Sequence, residues 1–315
     1  MEKTLLVLAG PTASGKTALS LLLAEALNGE IVSADSMQIY RGMDIGTAKA
    51  TPEEQAAAPH HMIDIVDPGE DYSVSRYVED ASCCCEDIFA RGRQPILVGG
   101  TGLYIDSLLA GRTFSARAEA SEELRAELNA DYDRLGGEAM LRELSRFDPE
   151  RAALRAPSDR RRIVRAIEIY RLTGKTISAH DRETRLQPPA YASVYTVLGF
   201  ADRRRLYARI DDRVDRMAAD GLFEETASLL RRGIPDASTC MQAIGYRQAA
   251  QALRGECSRE DAIAAVKQTS RRYAKRQMTW FRRREDALPL LWEDEPDLPA
   301  AAETILRQMR EKKGL

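Results

Sequence analysis

The sequence predicts an α/β protein built on a parallel sheet, with a block of helices inserted into it, and three observations carry that expectation. Apolar strand-like runs and amphipathic helical runs alternate from Leu5 to Val98, the order that builds parallel sheets. A glycine-rich turn joins the first strand run to the first helix run. From about Thr113 to Ala192 the periodicity is helical only, after which the apolar run Val194 to Gly199 returns the chain to the sheet.

The elements follow in order. Leu5-Leu6-Val7-Leu8-Ala9 reads as a buried strand, and residues 16–27, with leucines at 19, 21, 22, 23 and 27, read as the helix that leaves it. Between them Gly10, Pro11, Thr12, Ala13, Ser14, Gly15, Lys16 and Thr17 fit G-x-x-x-x-G-K-[ST]. In that context the pattern is a phosphate-binding loop: glycines let the backbone wrap a phosphate, and the helix start aims its free N–H groups at it. The core is therefore expected to be P-loop NTPase-like and to hold a diphosphate or triphosphate. A strand over 30–34, a helix around 73–91 and a strand over 95–98 follow. Helices are then expected over 121–135, 138–146, 157–172 and 178–186, and a further helix carries Leu206, Ile210, Val214 and Met217 on one face. The resulting division is a discontinuous core of 1–112 and 193–292, a helical insertion of 113–192, and a peripheral tail of 293–315 containing Pro296 and Pro299. An inserted helical block suits a docking domain or lid.

Composition sets the class. At 315 residues, 44% hydrophobic and 30% charged, the chain is an ordinary globular protein with room for a substantial core. Five apolar residues after Met1-Glu2-Lys3-Thr4 make neither a secretory signal nor a membrane span, so a cytoplasmic location and no membrane contact are expected. Five cysteines, with Cys83-Cys84-Cys85 in a row, fit neither a disulfide framework nor zinc spacing, and are expected as small core residues on a helix. No apolar zipper is evident, so a monomer is expected.

Net charge of −3 does not by itself suggest nucleic acid, but its distribution does. Arginines 151, 155, 160, 161, 162 and 165 cluster, and Arg271 to Arg284 is basic throughout, interleaved with Tyr273, Trp280 and Phe281. Such stripes can neutralise phosphates or can be solvated helix faces. The aromatic pair can stack on bases or pack in the core; spacing beside Met278 favours the core.

In open parallel sheets ligands sit at the carboxyl ends of the strands. That rule puts Asp35, after the second strand, and Thr101, in Gly99-Gly100-Thr101-Gly102, in one crevice with the phosphate loop. A carboxylate there can accept a proton, bind a metal, or cap a helix; a threonine can orient a substrate or only shape a turn. Arg209, Arg213 and Arg216 border the buried face of their helix, where one guanidinium can turn toward bound phosphates. His60 and His61 have only His180 for company, and packing or hydrogen bonding is expected of them.

Taken together, seven segments resemble one family, the tRNA dimethylallyltransferases or tRNA isopentenyltransferases. They are Gly10 to Thr17, Asp35 to Lys49 (DSMQIYRGMDIGTAK), Pro59 to Asp64, Leu97 to Tyr104, Arg161 to Glu168, Ala243 to Gln248 and Tyr273 to Arg282. The block from Asp35 to Lys49 is the specific one. Arg161 stands where the family usually has glutamine, and the cysteine triplet is unusual.

The resemblance implies transfer of a dimethylallyl group from dimethylallyl diphosphate to N6 of adenosine 37 in tRNAs reading codons that begin with U. Asp35 would accept the proton from N6 and Thr101 would orient the adenine. The phosphate loop with Lys16, Mg²⁺ on Thr17, and Arg213 would hold the diphosphate. Ser36, Met37 and Gln38 would lie beside the flipped base. Asp159, Arg160, Arg161, Arg162 and Ile163, with Cys240, Met241, Gln242, Ala243, Ile244 and Gly245, would contact the anticodon stem-loop. The competing classes are a P-loop small-molecule or nucleotide kinase, and an RNA-binding GTPase-like switch, the latter lacking any N-K-x-D element at a strand end.

Overall fold

The computed structural model describes residues 3–111 and 121–314, folded as two compact units: Met1–Leu109 with Ala190–Leu315, and Ala110–Pro189. The expected boundary at 112 lies outside the described residues; the return to the core falls at Ala190.

The first unit opens with β1 (Thr4–Ala9), α1 (Lys16–Leu27), β2 (Gly29–Ser33), α2 (Pro52–Ala57), β3 (His60–His61), α3 (Val74–Ala90), β4 (Gln94–Gly99) and α4 (Gly102–Leu109). The second unit supplies α5 (Glu122–Leu135), α6 (Gly137–Phe147), α7 (Pro149–Ala153), α8 (Arg160–Thr173) and α9 (Ile177–Leu186). The first then resumes with β5 (Ala192–Phe200), α10 (Arg203–Ala219), α11 (Leu222–Arg231), α12 (Tyr246–Leu253), α13 (Arg259–Phe281), β6 (Leu288–Trp292) and α14 (Leu298–Lys313).

The described strands form one parallel sheet in the order β3-β2-β4-β1-β5-β6. Every residue of β1 is buried, as expected for a central strand covered on both faces, which is why Leu5 to Ala9 reads as an unbroken apolar run. Because β4 lies between β1 and β2, the loops leaving all three strands emerge side by side. Gly99 is small for that reason: a Cβ there would lie 2.2 Å from the carbonyl oxygen of Ala34.

Helix α3 shows how periodicity sorts the cysteine triplet. Its buried face is Tyr77, Val78, Ala81, Cys85 and Ile88, spaced by three and four residues. Only Cys85 falls on that face; Cys84 is half-buried and Cys83 exposed, correcting the expectation of three core cysteines.

The segment after Glu293, expected to be peripheral, is structural. Asp297 caps α14 by accepting from Ala300 N at 3.1 Å, and Ala301, Ala302, Ile305 and Met309 are buried with Leu19 and Leu23 of α1. Pro296 and Pro299 misled because proline punctuates loops, yet Pro299 sits in the first turn of α14, where its missing N–H costs nothing.

In the second unit Leu128, Met140, Leu144, Ile163, Val164 and Ile167 form a separate core, and Phe147 stacks on Tyr170 with ring centroids 4.0 Å apart. Helix α8 starts at Arg160, not Pro157, because residues 156–159 form a turn in which Asp159 N donates to Ala156 O at 2.9 Å. Its buried Glu168 is paired with Arg125 at 3.1 Å and Arg165 at 2.8 Å.

Candidate active site

The phosphate loop is held in shape from several directions. Gly10 (φ 148°), Ala13 (φ 63°) and Gly15 (φ 92°) bend the chain, and a Cβ on Gly10 would sit 2.5 Å from Leu198 O. The buried Ser14 hydroxyl donates to Pro11 O at 2.8 Å, Trp292 Nε1 donates to Ser14 O at 2.9 Å, and Arg209 Nε reaches Ala13 O at 3.3 Å. Gly15 is the N-cap of α1 with no side chain capping it, so the first helical N–H groups keep the free donors that an anion needs.

Lys16 Nζ donates to Gly10 O at 3.0 Å and to Pro11 O at 2.7 Å. Burial, then the nearby Arg213, push its pKa down to about 7, opposed by Asp35. Arg213 is pushed down by its own burial and held up by Asp35. An ammonium and a guanidinium thus share a desolvated site in which Asp35 is the carboxylate that acts on both, and a polyanion would balance their charge. Of Arg209, Arg213 and Arg216 on α10, Arg213 is the one whose charge bears on Lys16; Arg209 pairs with Glu295 at 2.7 Å.

Asp35 and Thr101 meet at the ends of β2 and β4. Asp35 Oδ1 accepts from Met37 N at 2.8 Å and Gln38 N at 3.4 Å, while Thr101 Oγ1 accepts from Ser36 N at 3.1 Å and Thr101 N donates to Ala34 O at 3.1 Å. Asp35 therefore does cap its own turn, and the electrostatic reach of its carboxylate to Lys16 and Arg213 places it in the same crevice.

Three groups escaped sequence reasoning, two of them at this crevice. The Tyr273 hydroxyl adjoins Thr101 and Gln277, and burial, with Asp35 nearby, pushes its pKa up to about 12. Gln277, 5% exposed, accepts from Thr12 N at 3.0 Å and donates to Gly100 O at 3.0 Å. Glu225 accepts from Asp44 N at 2.8 Å, Ile45 N at 3.0 Å, Gly46 N at 3.1 Å and Tyr246 Oη at 2.6 Å. The basic run 271–284 drew attention to charge, whereas two of these groups lie on the inward side of the same helix. A signal for Glu225 was absent because its partners are backbone N–H groups of a distant loop and the hydroxyl of Tyr246.

Glu225 also explains the specific block Asp35 to Lys49. A Cβ on Gly46 would lie 2.5 Å from the Tyr246 ring, and Lys49, 8% exposed, donates to Tyr40 O at 2.9 Å and to Asp44 and Asp64 at 2.6 Å each. Gln38 is locked too, accepting from Ser33 Oγ at 3.0 Å and donating to Ala48 O at 3.2 Å. The loop bearing Ser36, Met37 and Gln38 is a rigid platform.

Residues expected to face RNA divide by burial. Cys240, Met241 and Ala243 are buried in a core cluster, leaving Gln242 exposed and Ile244 half-buried between the buried Ala243 and Gly245. Ile163 is wholly buried in the core of the second unit. Arg160 is committed to Asp133 at 2.6 Å and Asn129 at 2.9 Å, over the Tyr132 ring. Arg161 is exposed, and Arg162 is 65% exposed and paired with Asp159 at 3.1 Å. On α13, Phe281 is buried as expected; Trp280 is 39% exposed, contrary to expectation, with Nε1 donating to Asp106 at 2.8 Å. It packs over Gly102, where a Cβ would clash at 2.3 Å, and with Lys275, Arg276, Thr279 and Arg283 lines a pocket of about 220 Å³.

His60 and His61 take hydrogen-bonding roles in the edge strand β3: His60 Nδ1 donates to Ala58 O at 2.8 Å and His61 Nε2 to Glu30 at 2.6 Å. Among the described residues no group of three His, Cys, Asp or Glu side chains could hold a metal ion, and no helix is long and apolar enough to cross a membrane.

Residues 38–284 match the family model described as IPP transferase. The chain belongs to the IPP transferase family. A second model, isopentenyl transferase, matches residues 3–63, the phosphate loop and Asp35. A tRNA dimethylallyltransferase of Symbiobacterium thermophilum is 47% identical over 315 residues, covering 99% of this chain and 97% of that one. Among solved structures, the full-length tRNA isopentenylpyrophosphate transferase of Bacillus halodurans superposes with a TM-score of 0.74 at 40% identity, covering 99% of each chain. A eukaryotic dimethylallyltransferase acting on tRNA gives 0.83 at 29% identity, covering 99% of this chain and 80% of that one. The parallel-sheet core with a helical insertion is thus the fold of a prenyltransferase family, and the kinase and GTPase alternatives fall away.

Proposed function

We propose that this chain transfers the dimethylallyl group of dimethylallyl diphosphate to N6 of adenosine 37 in tRNAs reading codons that begin with U, releasing diphosphate. The observation that carries the reading is the convergence of Asp35 and Thr101 with Lys16 and Arg213 at the carboxyl ends of β2, β4 and β1. One end of this crevice suits a leaving diphosphate and the other an amine that must lose a proton. The C1–O bond of the donor breaks as the N6–C1 bond forms, and Asp35 takes the N6 proton while Thr101 orients the adenine.

Thr17 is the last residue of the phosphate loop and lies in the first turn of α1. Mg²⁺ fits there, because it favours one protein hydroxyl completed by phosphate oxygens and water over a cage of side chains. When bound it would neutralise charge on the leaving group. The adenine cannot reach the crevice while stacked, so it must be flipped out beside Ser36, Met37 and Gln38. On the second unit Arg161 and Arg162 offer phosphate contacts to the anticodon stem-loop. The protein acts as a monomer in the cytoplasm.

The test uses dimethylallyl diphosphate labelled in the allyl group, unmodified tRNA and Mg²⁺, with parallel arms containing ATP. Label should enter tRNA without ATP; strict ATP dependence would refute the donor assignment.

A further inference from the structure

Gln277 joins two loops that the transfer reaction needs at a fixed separation. Its amide accepts from Thr12 N in the phosphate loop and donates to Gly100 O, one residue before Thr101, both at 3.0 Å. It is buried at 5% exposure on α13, one turn beyond Tyr273, which adjoins Thr101. Gly100 has no side chain to obstruct it: a Cβ there would lie 2.2 Å from Gln277 Nε2. We propose that Gln277 is a positioning residue for allyl transfer, a neutral strap that sets the distance between the loop holding the diphosphate and the loop orienting the acceptor base.

This inference rests on the transfer reaction proposed above. In an in-line displacement the nucleophile and leaving group are held by different loops, and misplacement by about 1 Å can lower the rate by about 10²-fold without weakening either binding event. Only an amide suits the strap. A carboxylate could accept from Thr12 N but would face the Gly100 carbonyl with no proton to give, and an apolar side chain could do neither.

The test compares wild type with Gln277→Glu, Gln277→Met, Gly100→Ala and the double variant Gly100→Ala/Gln277→Met. Single-turnover transfer is measured with donor and unmodified anticodon stem-loop both saturating, beside separate affinities for each. Both Gln277 variants should lose at least about 10-fold in rate while the affinities stay within about 3-fold. Gly100→Ala, which pushes the amide aside, should slow wild type similarly and add nothing to Gln277→Met, the signature of two changes acting on one interaction. Rates within about 2-fold of wild type would overturn the proposal, as would additive effects accompanied by proportional losses of affinity. If Gln277→Met does not fold, Gly100→Ala alone decides, an undiminished rate being the overturning result. Failure of the wild type to transfer would instead remove the reaction itself.

Discussion

The indole of Trp292 donates to the carbonyl of Ser14 at 2.9 Å, across 278 residues of sequence, so the last strand of the sheet braces the middle of the phosphate loop. The buried Ser14 hydroxyl then closes the loop on Pro11. An intramolecular hydrogen bond of this kind is worth about 0.5–1.5 kcal/mol. Trp292→Phe should therefore weaken donor affinity by about 2- to 10-fold and leave stem-loop affinity unchanged. Isothermal titration with each ligand checks this; equal losses for both would mean the variant loosens the whole sheet.

Lys16 gives a pH signature. Burial and Arg213 bring its pKa down to about 7 in the free protein, so above pH 7 an increasing share is neutral. A bound polyanion favours the charged form and raises that pKa, so donor binding at pH 8 should take up a proton, and affinity should fall as pH rises from 7 to 9. Calorimetry at pH 8 in buffers of different ionisation enthalpy measures the uptake. Lys16→Arg, which stays charged, should lack it; identical proton exchange in both proteins would contradict the assignment.

The second unit separates structure from recognition. Arg160 is paired with Asp133 and Asn129, whereas Arg161 is exposed and Arg162 only loosely held. Neutralising Arg161 and Arg162 should lower stem-loop affinity and reduce the salt slope of log K by about 1 for each phosphate that is no longer neutralised. Arg160→Ala should instead lower the melting temperature with little change in slope. An unaltered slope for the Arg161/Arg162 variant would mean that this surface does not meet RNA.

Glu225 holds three consecutive backbone N–H groups and the Tyr246 hydroxyl. Hydrogen bonds to a charged group contribute about 1.5–3 kcal/mol, so Glu225→Gln, which cannot accept at both atoms, should destabilise the protein by about 2 kcal/mol in urea unfolding. Unchanged stability would show that Lys49, Gln38 and the packing of Tyr246 hold the loop from Asp44 to Lys49 without Glu225.

Much of this was legible in the sequence where function depends on local pattern. The phosphate loop is a contiguous motif, Asp35 and Thr101 follow apolar strands, and the strand-end rule puts them together. What stayed hidden depends on long-range contact. Gln277 and Glu225 look like ordinary polar residues of helices, and their value comes from backbone groups far along the chain. The C-terminal helix was obscured because alanines make up half of its buried face, Ala301 and Ala302 beside Ile305 and Met309, and small residues give a weak apolar signal. The ion pair of Arg160 was hidden as well, since sequence shows a cation but not the carboxylate that Asp133 lays against it.

The most direct measurement is single-turnover reaction of an unmodified anticodon stem-loop with dimethylallyl diphosphate and Mg²⁺, followed by nuclease digestion and mass analysis of the nucleosides. The account predicts that wild type adds one dimethylallyl group at N6 of adenosine 37 without ATP, and that Asp35→Asn binds the stem-loop normally yet transfers at least about 10²-fold more slowly, the scale of a positioned base. Transfer by Asp35→Asn at the wild-type rate, or product at another nucleotide, would contradict it.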